Sequence, residues 1–323
     1  MSKRFLSGFA VLLASLACFG SGGSAEAAPA PAAWTKVADY GGGAMRGSVW
    51  FTGPGAAYVV SGMGRSFVPD NQCWKYDGVA DTWTAMAAYP GTPVIDGAGF
   101  AIGTKGYVAL GSDNVGWLSQ VWEYDMVQDT WTRKRDFPGS PRSGVVATVI
   151  GQKAYVFGGG RWPASTGELW EYDPRADAWT QKTSCPGGGR FMGTAFTVGS
   201  KGYFGMGQPS GTASSRDMYE YDPAADTWTP VKDYPGSARA YAIGMSLGNK
   251  GYVGAGDVSG NGTVMTREVW EYDPATDAWT RKPDLGGEGR GMAVGFGLGG
   301  YLYLGLGNNA ANRNLPDFWR WRP

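Results

Sequence analysis

The chain repeats itself with a period near 50 residues, which commits it to building one supersecondary unit several times over. The pattern W-x-Y-D runs from Trp74 to Asp77, Trp122 to Asp125, Trp170 to Asp173 and Trp270 to Asp273, with Tyr219 to Asp222 as a variant. Each unit is followed by an Asp-x-Trp ending at Trp83, Trp131, Trp179, Trp228 or Trp279. Those tryptophans lie 48, 48, 49 and 51 residues apart, and Trp34 precedes Trp83 by 49. With 54 Gly, 15 Trp and 17 Tyr against 17% charged residues, the composition favours short aromatic strands joined by glycine turns over helices. The class is all-β, and 323 residues suit a single repeat-built domain.

Each period resolves into four antiparallel strands. The first is small and glycine-rich, as in Gly97 to Ile102, Ala240 to Leu247 and Gly291 to Leu298. A tight turn such as Gly199-Ser200 leads into the second, K-G-Y-V-like strand, seen at Tyr107-Val108 and Tyr252-Val253. The third is W-E-Y-D, and turns such as Asp173-Pro174 pass into the fourth, T-W-T. Alternation puts Trp170 and Tyr172 on one sheet face, where they fill the wedge against a neighbouring unit. This period and aromatic spacing resemble the Kelch-repeat β-propellers over Trp34 to Pro323, although only Gly158-Gly159-Gly160 keeps the usual glycine doublet after strand two. The resemblance implies a six-bladed propeller. Such bacterial chains are similar to galactose oxidase-like propellers, whose copper centre uses histidines; this chain has none, so neither that cofactor nor a histidine triad is expected.

The C-terminus supplies three strands of a last blade, ending in Asp317 to Arg322, while Trp34-Thr35-Lys36-Val37 matches a lone fourth strand. The ring should therefore close by pairing Trp34 to Val37 beside Phe318 to Trp321, hiding the open edges. On one face the turns are too short to build a pocket. On the other, the connections from strand two to three are about ten residues long and differ in every blade. Recognition is expected there.

Counting four residues on from Pro138, Pro186, Pro235 and Gly286 reaches Arg142, Arg190, Arg239 and Arg290; the other two blades have Val94 and Met45, with Asp96 and Arg46 nearby. These arginines are expected around one mouth of the central channel, with Arg161, Arg65 and Arg313 in neighbouring loops. They would grip a carboxylate, sulfate or phosphate there, or instead hydrogen-bond loop carbonyls and fix the blade spacing. Kelch adaptors often receive acidic segments through arginines at this end, so the resemblance implies an anion-binding role. Loop aromatics Phe67, Trp117 and Trp162 suit stacking on sugars or packing between loops. Asp113-Asn114 and Asp257 with Asn261 lack the ligand count of a calcium site, and no metal is assigned.

At the N-terminus, Lys3 and Arg4, an apolar run from Phe5 to Phe19 and the small-residue site Ala25-Glu26-Ala27 read as a secretory signal over 1–27. Residues 28–33 form a linker and 34–323 the propeller. Ser15-Leu16-Ala17-Cys18 also resembles an imperfect lipobox, which would end the signal at Ala17 and anchor Cys18 by lipid. The apolar run falls short of the roughly 20 residues of a spanning helix, so no transmembrane helix should remain after processing. The expected location is secreted, periplasmic or on the outer surface, where Cys73 and Cys185 either pair or remain two independent apolar side chains. Equal counts of 28 basic and 28 acidic residues give no global field for nucleic acid. The expected function is a monomeric, non-catalytic extracytoplasmic scaffold binding a protein segment or glycan, anionic ligands included. The alternative is a carbohydrate-active isomerase resembling sialic acid mutarotases, with Asp96 or Glu288 as acid-base groups.

Overall fold

The computed structural model describes residues 33–211 and 213–323. The expected signal segment, its lipid-anchored Cys18 and nearly all of the linker lie outside the described residues. Six four-stranded antiparallel sheets follow one another along the chain. Blade I comprises Val49–Gly53, Ala56–Val60, Cys73–Asp77 and Thr82–Ala85. Blade II comprises Ala98–Ile102, Lys105–Ala109, Val121–Asp125 and Thr130–Arg133. Blade III has Ser143–Ile150, Lys153–Arg161, Leu169–Asp173 and Ala178–Lys182, with the short Ala164–Ser165 as an extra pair. Blade IV runs through Thr194–Val198, Lys201–Gly205, Met218–Asp222 and Thr227–Val231. Blade V uses Ile243–Leu247, Lys250–Gly254, Val269–Asp273 and Ala278–Lys282. Blade VI takes Val294–Leu298, Tyr301–Gly305 and Phe318–Trp321 from the C-terminus and Thr35–Val37 from the N-terminus. The first strands of successive blades touch, and blade VI touches blade I, so the sheets form a closed ring around a channel. The architecture is a six-bladed β-propeller.

Closure pairs the expected strands, with Thr35 opposite Arg320, Lys36 opposite Trp319 and Val37 opposite Phe318. Trp34 is buried, packs at a tilt against Trp321 with ring centres 5.9 Å apart, and donates its indole N–H to the Pro283 carbonyl of blade V at 3.0 Å. The first strands are shorter than the glycine pattern predicted. They start at Ile243 and Val294, because Tyr241 and Met292 adopt left-handed conformations (φ 57° and 50°) that interrupt the strand.

The two sequence signatures are one inter-blade stitch. Each Tyr of W-x-Y-D gives its hydroxyl proton to the Asp of the following Asp-x-Trp: Tyr76 to Asp81, Tyr124 to Asp129, Tyr172 to Asp177, Tyr221 to Asp226 and Tyr272 to Asp277, at 2.6–2.8 Å. The same Asp accepts a backbone N–H from the preceding blade, as Asp129 does from Ala87 at 2.8 Å and Asp277 from Lys232 at 2.9 Å. In four of the five, Trp179 being the exception, the tryptophan two residues on donates its indole N–H to that blade too, as Trp131 does to the Ala87 carbonyl and Trp279 to the Lys232 carbonyl. A buried tyrosine hydroxyl and a strand-end amide are thus satisfied together, which removes a penalty of about 1–3 kcal/mol for each group otherwise left unpaired. Tyr172 is fully buried as expected, and Trp170 stands half-buried, edge-on to Phe137 at 5.1 Å. Cys73 and Cys185 are both free and sit in different core clusters; burial raises both thiols, Cys185 to about 11.

Candidate functional site

Antiparallel blades put the long strand-two-to-three loops and the strand-four-to-one connections on the same face, where isolated bridges such as Arg46 to Met63 and Ala240 to Asp257 tie them together. One left-handed residue stands at the channel end of each blade's entry: Gly47, Asp96, Met192, Tyr241 and Met292 just before the first strand, and Gly144 just inside it in blade III. Their backbones link around the axis. Gly47 N–H donates to Met292 O, Asp96 to Gly47, Gly144 to Asp96, Met192 to Gly144 and Tyr241 to Met192, at 2.9–3.0 Å. These five bonds string the six residues into a ring of positions around the mouth.

The four repeat-invariant arginines do not rim that mouth, which corrects the expected placement. Each lies two residues before its ring residue and folds back into its own blade with at most 6% of its side chain exposed. Arg142 pairs with Glu168 at 2.7 Å, Arg290 with Asp317 at 2.8 Å, Arg190 with Asp217 and Arg239 with Glu268. Further donors serve carbonyls: Arg142 Nε to Ser140 O, Arg190 Nη1 to Gly187 O and Gly189 O, Arg239 Nη1 to Ala255 O, and Arg290 Nη1 to Leu306 O. Burial alone would raise Glu168 and Asp317; bonds from Trp170 and Arg142 to the one, and from Arg290 to the other, outweigh it and hold both below the usual range. The acidic partners escaped the sequence reading, although the repeats carry their signal. Where Arg gives way to Met45 and Val94, the residue before strand three changes from Asp or Glu to Gln72 and Gln120. Gln120 then bonds Thr92 N and O, and Gln72 accepts from the Trp74 indole at 2.8 Å.

Inside the ring is a cavity of about 130 Å³. Asp96 lines it, flanked around the ring by Gly47 and Gly144, while Met192, Tyr241 and Met292 occupy the other half. Trp50 lines the cavity from the first strand of blade I, together with Gly99, Ala195 and Gly244. The Asp96 carboxylate makes no side-chain hydrogen bond or ion pair among the described residues. The residue is partly exposed, and burial raises it to about 7 against the opposing pull of Arg46. Burial, then Asp96 and Asp257, raises the Tyr241 phenol, again against Arg46. Of the mouth residues, the sequence had singled out only Asp96 and the neighbouring Arg46.

Around the cavity the loops of blades I to III expose Phe67 (53%), Trp117 (40%) and Trp162 (48%), with Val68 and Val115 beside them. Arg46 lies 5.2 Å over the Phe67 ring and donates to Asn312; Arg161 lies 5.4 Å over Trp117 and donates to Pro141 O. Trp162 packs at 5.4 Å against Phe191, and Asn114 Nδ2 bonds Phe67 O at 2.8 Å, joining the loops into one rim. Glu288 stands elsewhere, held by Asn309 and Arg313. Asp113 and Asp257 accept loop N–H groups, Asp113 from Gly116 and Asp257 from Ser259 and Gly262. No cluster of three or more acidic or cysteine ligands occurs among the described residues.

Stitched four-stranded blades, a strand from the N-terminus closing the ring and variable loops on one face define a repeat-built propeller scaffold. The chain belongs to the Kelch-repeat family: residues 55–237 match the family model described as the KLHDC2/KLHL20/DRC7 Kelch-repeats domain. The propeller is similar in fold to the solved structure titled "Structure of YjhT", with TM-score 0.74 and 17% identity over 87% of this chain and 95% of that one. No curated protein sequence matches the chain significantly.

Proposed function

We propose that this chain is a non-catalytic, extracytoplasmic binding module that holds a segment of a partner protein on the aromatic and arginine rim of blades I to III. The observation that carries this is the run of exposed Phe67, Val68, Val115, Trp117 and Trp162 on adjoining loops of a Kelch propeller, a protein-interaction fold. Apolar patches on otherwise polar surfaces mark binding sites, and Trp and Arg dominate the energetics of protein interfaces. A peptide suits this rim better than a glycan, because guanidinium groups already cover the Phe67 and Trp117 ring faces that a sugar would stack on. Arg46, Arg65 and Arg161 favour acidic residues beside the apolar anchors. The four inner arginines are engaged within their blades and fix the loops that carry the rim. An extracytoplasmic setting is supported by the leader-like sequence of 1–27.

Selection from a random peptide library should return a recurrent motif of apolar and acidic residues, and Trp117→Ala with Trp162→Ala should weaken the selected peptide at least tenfold. Equal binding by the double variant would sink the proposal. Rim-dependent binding on a glycan array, with no peptide selected, would reassign the rim to carbohydrate.

A further inference from the structure

We propose that the mouth of the channel is a receptor site for an organic ammonium group, with Asp96 as its counter-ion and Tyr241 and Trp50 as its aromatic walls. Three independent features of the cavity point to that chemistry. The first is the position of the charge. In the six-residue ring, Asp96 stands between two glycines, so no side chain from its ring neighbours shields or satisfies its carboxylate. Arg46 is adjacent in the chain to Gly47, but its guanidinium is directed to Asn312, lies over Phe67 and approaches the Met63 sulfur at 3.7 Å. It acts on Asp96 through space only.

The second feature is the opposite wall. Three steps around the ring from Asp96 stands Tyr241, with Met192 and Met292 on either side, and Trp50 lies below them. Aromatic faces and polarizable thioethers attract a cation without hydrogen-bonding it, which is how quaternary ammonium groups are recognised. A carboxylate facing a phenol, an indole and two methionines is a poor site for an anion and a fitting one for an alkylammonium. The third feature is size. About 130 Å³ is close to the ~150 Å³ of an engineered cavity that accepts benzene, enough for a trimethylammonium head or the end of a lysine side chain.

The groups facing Asp96 set the pH dependence. Burial and Arg46 oppose each other to leave it at about 7, and Tyr241 across the ring keeps its proton in the neutral range. The charged carboxylate that the cation requires therefore forms as pH rises. Affinity for a permanently charged probe should increase roughly tenfold from pH 6 to pH 8.

The test is calorimetric titration of the full propeller with tetramethylammonium and n-butylammonium, using tert-butanol as a neutral near-isostere and acetate as an anion. Both ammonium probes should bind, and the other two should not. Asp96→Asn should weaken the ammonium probes at least tenfold and abolish their pH dependence. Asparagine tolerates the left-handed backbone at this position, and Asp96→Gly, which copies Gly47 and Gly144, is a second variant expected to fold and to lose binding. Tighter binding of a pentapeptide with a central lysine than of n-butylammonium would assign the ammonium to a partner's side chain, and equal affinity to a free amine. Either supports the site. Trp117→Ala with Trp162→Ala should leave tetramethylammonium binding unchanged, so the rim and the cavity fail or stand separately. Comparable binding of tert-butanol, undiminished ammonium binding in both Asp96 variants, or no ammonium binding in the wild type would overturn the proposal.

Discussion

Asp96 is an acid that the fold makes weaker, and this has a consequence for stability as well as for binding. Its folded value of about 7 lies above the ordinary aspartate value of 3.8, so the native state holds a proton that the unfolded chain releases in between. Stability should be unaffected by this group below about pH 4, fall as pH rises from 4 to 7, and stay reduced above. At pH 8 the penalty should be on the order of 2–4 kcal/mol. Asp96→Asn should remove it, so urea denaturation would show the variant more stable than wild type at pH 8 and equal to it near pH 4. A constant difference across that range would contradict the assignment. The buried arginines are the converse case, charges already matched. Arg239→Ala removes a fully buried guanidinium and leaves the partly exposed Glu268 only its longer 4.0 Å contact with Arg281, which should cost about 3 kcal/mol in the same measurement.

At the scale of the element, the blade is a cassette whose parts can be exchanged with one another. Blades III to VI use an arginine with a carboxylate, whereas blades I and II use Met45 with Gln72 and Val94 with Gln120. Installing the blade I solution in blade V, Arg239→Met with Glu268→Gln, should cost no more than about 1 kcal/mol, because replacing a buried ion pair as a unit avoids the stranded charge. A cost equal to that of Arg239→Ala alone would show that the pair does more than brace its blade. The strands of each cassette were legible in the sequence, because W-x-Y-D and Asp-x-Trp write a local pattern of alternation and turn five times over. The direction of the arginines was not. Regular spacing places a residue in a loop, but which way its side chain folds depends on the left-handed residue two positions later and on an acid 26–29 residues downstream in the same blade.

For the whole molecule, cooperativity rests on the strand Thr35–Val37, which gives the last sheet its outer edge and offers Asp81 of blade I the N–H of Ala38 at 2.9 Å. Deleting residues 34–37 should lower the melting temperature markedly and broaden the transition followed by near-ultraviolet circular dichroism. Trp34→Ala should produce a graded loss of about 3–5 kcal/mol. An unchanged transition in both variants would mean that the ring holds without its closing strand. The sequence alone determined the period, the four strands of each blade, their number around the ring and the way it closes, since each follows from patterns repeated within about 50 residues. Only the tertiary structure decided what occupies the mouth. Ring closure gathers six residues, each nearly a full repeat from the next, into one circle, and the positive φ at those positions turns Asp96 and Tyr241 to face one channel while the arginines beside them turn away.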